Sequence, residues 1–154
     1  VAGKRSSMAK PFHFNLERVL DIREQFEERA KMEMAKAVAA VYAQEREVNR
    51  LVNEKEAREA SIAQNPNLTQ GELWLWQSYR RRLGEDIQAA RVRFEELVEV
   101  RERCRRTLVT RSKDKKLLEK LKSNKANRHA LEENLAEQKE NDELASMHHQ
   151  PPAL

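Results

Sequence analysis

The sequence is poor in the residues that make turns, crosslinks and aromatic cores. Its 154 residues include one cysteine, three glycines, four prolines and only 5% aromatics. A single thiol, Cys104, excludes a disulfide scaffold and fits a reducing compartment. The glycines stand apart at positions 3, 71 and 84, so no glycine-rich loop is present to cradle a phosphate. So few turn residues argue against a compact enzyme of this length. No run approaches the roughly 18 apolar residues that a membrane span requires. No apolar segment near the start suggests a secretion signal.

Charge is abundant instead. Charged residues make up 36% of the chain, and thirty bases against 26 acids leave a net charge of +4. Mean hydropathy is −0.91 and the pI is near 9.3. The signs are mixed along most of the chain, so the basic pI alone does not point to nucleic acid. The composition leaves a long-helix or coiled-coil protein, or a disordered one. Periodicity decides between them.

From about Leu16 to Ile62, apolar residues recur at three- and four-residue steps. They are Val19, Ile22, Phe26, Ala30, Met34, Ala37, Val41, Val48 and Leu51, with one step missing near Gln44. That spacing places them on one stripe of a helix. Asn15 is the expected N-cap, with Phe14 and Val19 in the staple positions around it. Asn65-Pro66-Asn67 then signals a turn. Thr69-Gln70-Gly71-Glu72 reads as a capping box that opens a second helix, flanked by Leu68 and Leu73.

The second segment carries a strict 3-4 seam: Leu73, Trp76, Arg80, Leu83, Ile87, Ala90, Phe94, Leu97, Arg101, Cys104, Leu108, Arg111, Lys115 and Leu118. Its long basic members can lay their stems on the seam and keep their charge in water. After Leu118 the register is expected to shift to a weaker stripe through Leu121, Leu131 and Leu135. The predicted fold is all-α, a long antiparallel two-helix coiled coil, or helical hairpin. A disordered leader over 1–14 (with Met8 a candidate native start) precedes a hairpin over 15–145. Helix 1 covers about 15–64, the turn 65–69 and helix 2 about 70–145, followed by a disordered tail over 146–154. At 1.5 Å per residue the helices would measure roughly 75 and 110 Å, so the second must overhang the first.

No catalytic constellation is visible. Carboxylate pairs such as Glu27-Glu28 and Glu132-Glu133 read as solvated faces, and His148-His149 as a solvated pair. Cys104 falls on the seam as a small core residue. No cofactor and no metal are expected. Two surface features stand out. Residues 101–125 hold eleven Lys or Arg against three acids, a net of +8, and residues 126–149 reverse to −4. Adjacent blocks of opposite sign on the overhanging end suggest docking by complementary charge. The acidic block and the lack of interleaved aromatics argue against nucleic-acid binding. Trp74, off the seam near the turn, is a partner-contact candidate; its alternative is packing on Leu68.

Three stretches resemble a known family. Phe12-His13-Phe14-Asn15-Leu16 with Val19-Leu20 and Arg23-Glu24 resembles the F-x-F-x-L-x-x-V-L opening of the flagellar FliJ family. Arg111 to Lys122, which ends in Leu118-Glu119-Lys120-Leu121-Lys122, is similar to its region of an Arg followed by L-E-K-L-K, and Glu137 to Ala145 to its E-Q-K-x-x-D-E-x-A ending. The resemblance spans about Phe12 to Ala145. It implies a non-enzymatic component of flagellar type III export, cytoplasmic and peripheral to the inner-membrane apparatus. The implied partners are a FliI-like export ATPase hexamer, the cytoplasmic domain of a FlhA-like gate protein, and export chaperones. The implied architecture is similar to the two-helix stalk of a rotary ATPase γ subunit. The implied ring contact comprises Arg18, Arg23, Arg111, Lys115, Lys116, Lys120 and Lys122. The implied gate contact comprises Leu51, Tyr79, Leu83, Asp86 and Ala90, to which Trp74 is added as the off-seam aromatic near the turn. A self-associating structural coiled coil and an injectisome counterpart are the alternatives.

Overall fold

The computed structural model describes residues 10–149. The expectations for Val1 to Met8, and for the tail from Gln150 on, lie outside those residues. Two helices account for nearly all of the described chain: α1, Glu17–Ala63, and α2, Gln70–His148. They form an antiparallel helical hairpin. Both are rich in Glu, Arg, Lys, Gln and Ala, which favour helix intrinsically.

The connection is built as its local chemistry requires. The Asn67 amide donates to the Asn65 side-chain oxygen at 3.1 Å, closing an Asx turn at the proline. The Glu72 amide donates to Thr69 Oγ1 at 3.2 Å, and the Thr69 amide donates to Glu72 Oε2 at 3.0 Å. These reciprocal bonds satisfy two donors that a helix start leaves open. Thr69→Ala should therefore lower the unfolding free energy by about 1 kcal/mol, measured by urea denaturation.

The start of α1 differs from expectation. The Leu16 carbonyl accepts the first helical bond, from the Leu20 amide at 2.9 Å. Asn15 lies in the preceding turn, so it is not the cap. Phe14 and Leu20 are buried, while Val19 and Ile22 are 38% and 48% exposed. The inward face is set one residue away from the apolar stripe expected at this end.

The described residues divide into two compact units: Phe26–Arg111, and the two ends, residues 10–25 with 112–149. In the Phe26–Arg111 unit, Glu59 meets Arg80, Gln44 meets the Ala90 carbonyl, and Phe26 lies under Arg111. Falling numbers on α1 against rising numbers on α2 make the pairing antiparallel. Leu51, Leu83, Ile87 and Ala90 form its core, with Val48 and Val52 packed against them. Gln44 occupies the step missing from the first apolar stripe. Its Nε2 donates to the Ala90 carbonyl at 2.9 Å, so a polar side chain takes a seam position with its donor satisfied. Glu27 is likewise buried, at 4% exposure, and pairs with Lys31 at 3.1 Å. The reading of Glu27 as part of a solvated face is therefore wrong, although its neighbour Glu28 is exposed as expected. Glu27 sits at the 3-4 spacing inward from Ala30, and that position was the available signal.

In the unit formed by the chain ends, Arg23 meets Asp114, Glu17 meets Lys122, Phe14 lies under Lys125, and Phe12 meets His129. The partly buried positions of α2 here include Lys115, Leu118, Lys122, Ala126, His129 and Glu133. The 3-4 spacing thus passes Leu118 without the expected shift. Leu121, Leu131 and Leu135 stay 37%, 63% and 65% exposed. The side that faces α1 is chosen by ion pairs and by cations over rings, which leaves the leucines outside. α2 continues to His148, so Ser146 to His148 are helical rather than tail.

Candidate functional site

Open grooves run between the helices, such as the one lined by Ala30, Glu33, Val100, Arg103, Cys104 and Thr107. Among the described residues no group of three or more His, Cys, Asp or Glu converges as a metal site. No described helix is long and apolar enough to cross a membrane.

The basic residues expected to contact a ring fall into two kinds. The first kind is engaged within the hairpin. Arg23 Nη1 donates to Asp114 Oδ2 at 3.2 Å. Lys122 Nζ donates to Glu17 Oε1 at 2.9 Å, and the bonded carboxylate raises the Lys122 pKa against a smaller opposing effect of desolvation. Lys115 approaches Glu119 at 3.7 Å with its side chain 22% exposed. Arg111, in the Phe26–Arg111 unit, places its guanidinium 4.8 Å from the Phe26 ring centroid. The second kind is turned to solvent: Arg18, Lys116 and Lys120 are exposed. Arg23, Lys122 and Arg111 bridge the two helices, Lys115 pairs along α2, and the second kind faces solvent.

The other candidate surface lies wholly within Phe26–Arg111. Leu51, Leu83 and Ala90 are 8%, 4% and 7% exposed and belong to the core cluster. Asp86 is exposed on the same helix, and Trp74 is 65% exposed. Trp74 therefore does not adopt the alternative of packing over the turn. Trp76 is half-buried, with its ring 6.0 Å from that of Tyr79. The Tyr79 hydroxyl donates to Glu54 Oε1, and the Arg58 guanidinium lies 5.8 Å from the Tyr79 ring centroid. Glu54 also accepts from Arg50, which pairs with Glu47 at 2.7 Å. Sequence spacing gave no sign of this network, because its members are polar and come from both helices. Leu75, 62% exposed, is a further apolar neighbour of Trp74 that the sequence reading missed.

The hydrogen bond to Glu54 raises the Tyr79 pKa above its ordinary value, with desolvation acting in the same direction. The folded state thus holds the phenol proton more tightly than the unfolded chain. The linked stability is fully present below the unfolded pKa and is lost as pH rises through the folded one. Ultraviolet titration, taken as the difference between the parent and Tyr79→Phe, should place the phenolate transition above the ordinary tyrosine range. Glu54→Gln should move it down.

Two long helices paired antiparallel, with Trp74, Leu75, Arg18, Lys116 and Lys120 exposed, define an all-α helical-hairpin protein. The chain matches the family model for the flagellar FliJ protein over residues 12–153 and belongs to that family. Membership makes it a structural component of flagellar protein export. No curated protein and no solved structure matches the chain.

Proposed function

We propose that this protein is the stalk of the flagellar export machine. In this reading it is a cytoplasmic, non-enzymatic hairpin whose open end docks in a FliI-like ATPase hexamer and promotes its assembly or activity. Its turn end, around Trp74, Tyr79 and Asp86, contacts the cytoplasmic domain of a FlhA-like gate protein, and it links export chaperones to that gate. The association with the inner-membrane apparatus is peripheral. One observation carries the reading: near the open end Arg18, Lys116 and Lys120 stand exposed, while their neighbours Arg23 and Lys122 are tied up across the hairpin. Exposed charge beside internally neutralised charge suits a surface that a partner of opposite sign can steer and seat. The mechanism is differential binding. A stalk that binds some conformations of a ring better than others shifts their populations by that difference in affinity.

Comigration tests the reading. The full chain and the cognate export ATPase should elute together at low salt and separate progressively as salt is raised. Separate elution at every ionic strength would sink it.

A further inference from the structure

We infer that the outer leucine stripe of α2 pairs two copies of this chain, antiparallel, about Ala126. The inference is independent of the stalk reading. Leu117, Leu121, Leu131 and Leu135 are 71%, 37%, 63% and 65% exposed. With Asn124 and Arg128 they follow strict four- and three-residue steps, so they share one face of α2. That face lies roughly a third of a turn from the one that Leu118, Lys122 and His129 present to α1. It is a second seam, left open by the hairpin.

Two properties of the stripe make a second copy its fitting occupant. The first is symmetry of spacing. Leu117 lies as far before Ala126 as Leu135 lies after it, and Leu121 as far before as Leu131 after. A two-fold axis at Ala126, with the helices antiparallel, therefore sets Leu117 of each copy opposite Leu135 of the other, and Leu121 opposite Leu131. Each residue meets its counterpart twice, as an isologous interface requires. Asn124 falls opposite Arg128, and these two polar layers fix the register at a cost in affinity. The second property is charge. The sign of α2 changes at the same point, from a net of +8 over residues 101–125 to −4 over residues 126–149. The same axis lays the basic block of each copy along the acidic block of the other. A parallel pairing would set like against like and lose both matches.

Sedimentation velocity of the full chain over a range of concentrations should show a reversible monomer–dimer equilibrium, weakened by added salt. Leu131→Glu with Leu135→Glu changes residues already exposed in the monomer, so far-UV circular dichroism should be unchanged while dimerisation weakens by at least about tenfold. Register is read by disulfide trapping in a Cys104→Ala background. Leu121→Cys combined with Leu131→Cys should give oxidised dimers, and Leu121→Cys alone should not. A chain that stays monomeric up to its solubility limit would overturn the proposal. So would a dimer indifferent to the glutamates, or trapping by Leu121→Cys alone. A monomer whose glutamate variant loses the export ATPase would assign the stripe to that partner, which also overturns it.

Discussion

Leu83→Ala should lower the unfolding free energy by about 2–3 kcal/mol, while Leu131→Ala should change it by less than about 0.5 kcal/mol. Both are leucines of α2 at helical spacings, and composition cannot tell them apart. Leu83 is 4% exposed within the cluster of Leu51, Ile87 and Ala90, so truncation removes buried methyl groups and leaves a gap. The expected cost sits at the lower end of the leucine range because a two-helix layer can close partly over the loss. Leu131 is 63% exposed, so truncation there removes little that folding buries. Urea denaturation followed by circular dichroism measures both. Equal effects would mean that α2 is not oriented as described. The Leu131 variant should be measured at concentrations where the chain is monomeric, so that self-association does not enter.

The second large effect concerns charge at the open end. Arg18→Glu, Lys116→Glu and Lys120→Glu together should weaken binding to the export ATPase by at least about tenfold, with little change in thermal stability. These side chains are exposed, so the hairpin does not depend on them. Lys122→Glu should behave in the opposite way. It places a carboxylate beside Glu17, where Lys122 Nζ now sits 2.8 Å from Oε2, and so disturbs the hairpin itself. The pair is half exposed, so its own contribution is small, and the like-charge contact adds to the loss. Fluorescence anisotropy with the ATPase and a thermal melt, run on both variants, separate the two roles. If the triple reversal melts early while Lys122→Glu does not, the division between register-holding and partner-facing charges is wrong.

The legible and illegible parts of the sequence differ for a physical reason. The turn was legible because Asn65 to Glu72 specify it locally: Asx geometry at a proline, then two reciprocal cap bonds. The middle of α2 was legible because Leu83, Ile87 and Ala90 bury apolar surface at an unbroken 3-4 spacing, and burial of that kind needs no knowledge of the partner. The inward face near the chain ends was not legible. There Arg23, Lys122 and His129 take the inner positions because each meets a carboxylate or a ring from the other arm: Asp114 on α2, Glu17 on α1, and Phe12 just ahead of α1. An apolar-in rule assigns those places to Ile22, Leu121 and Leu131 and so chooses the wrong side. Gln44 and Glu27 were missed for the same reason: a satisfied polar group inside is invisible to a hydrophobic pattern. The surface candidates divide along the same line. The family resemblance offers Leu51, Leu83 and Ala90 as contacts, but spacing places them on the inward stripes, and they are core. Trp74 was legible as an off-seam residue, whereas Leu75 is distinguished only by its exposure.

The most direct test of the account is the turnover of the cognate flagellar export ATPase, measured with and without this chain at moderate salt. The account predicts that the chain stimulates hydrolysis and that the Arg18, Lys116 and Lys120 reversal abolishes most of the stimulation while the folded hairpin persists. Unchanged turnover, in a mixture where both proteins are folded and present at saturating concentration, would contradict the stalk reading.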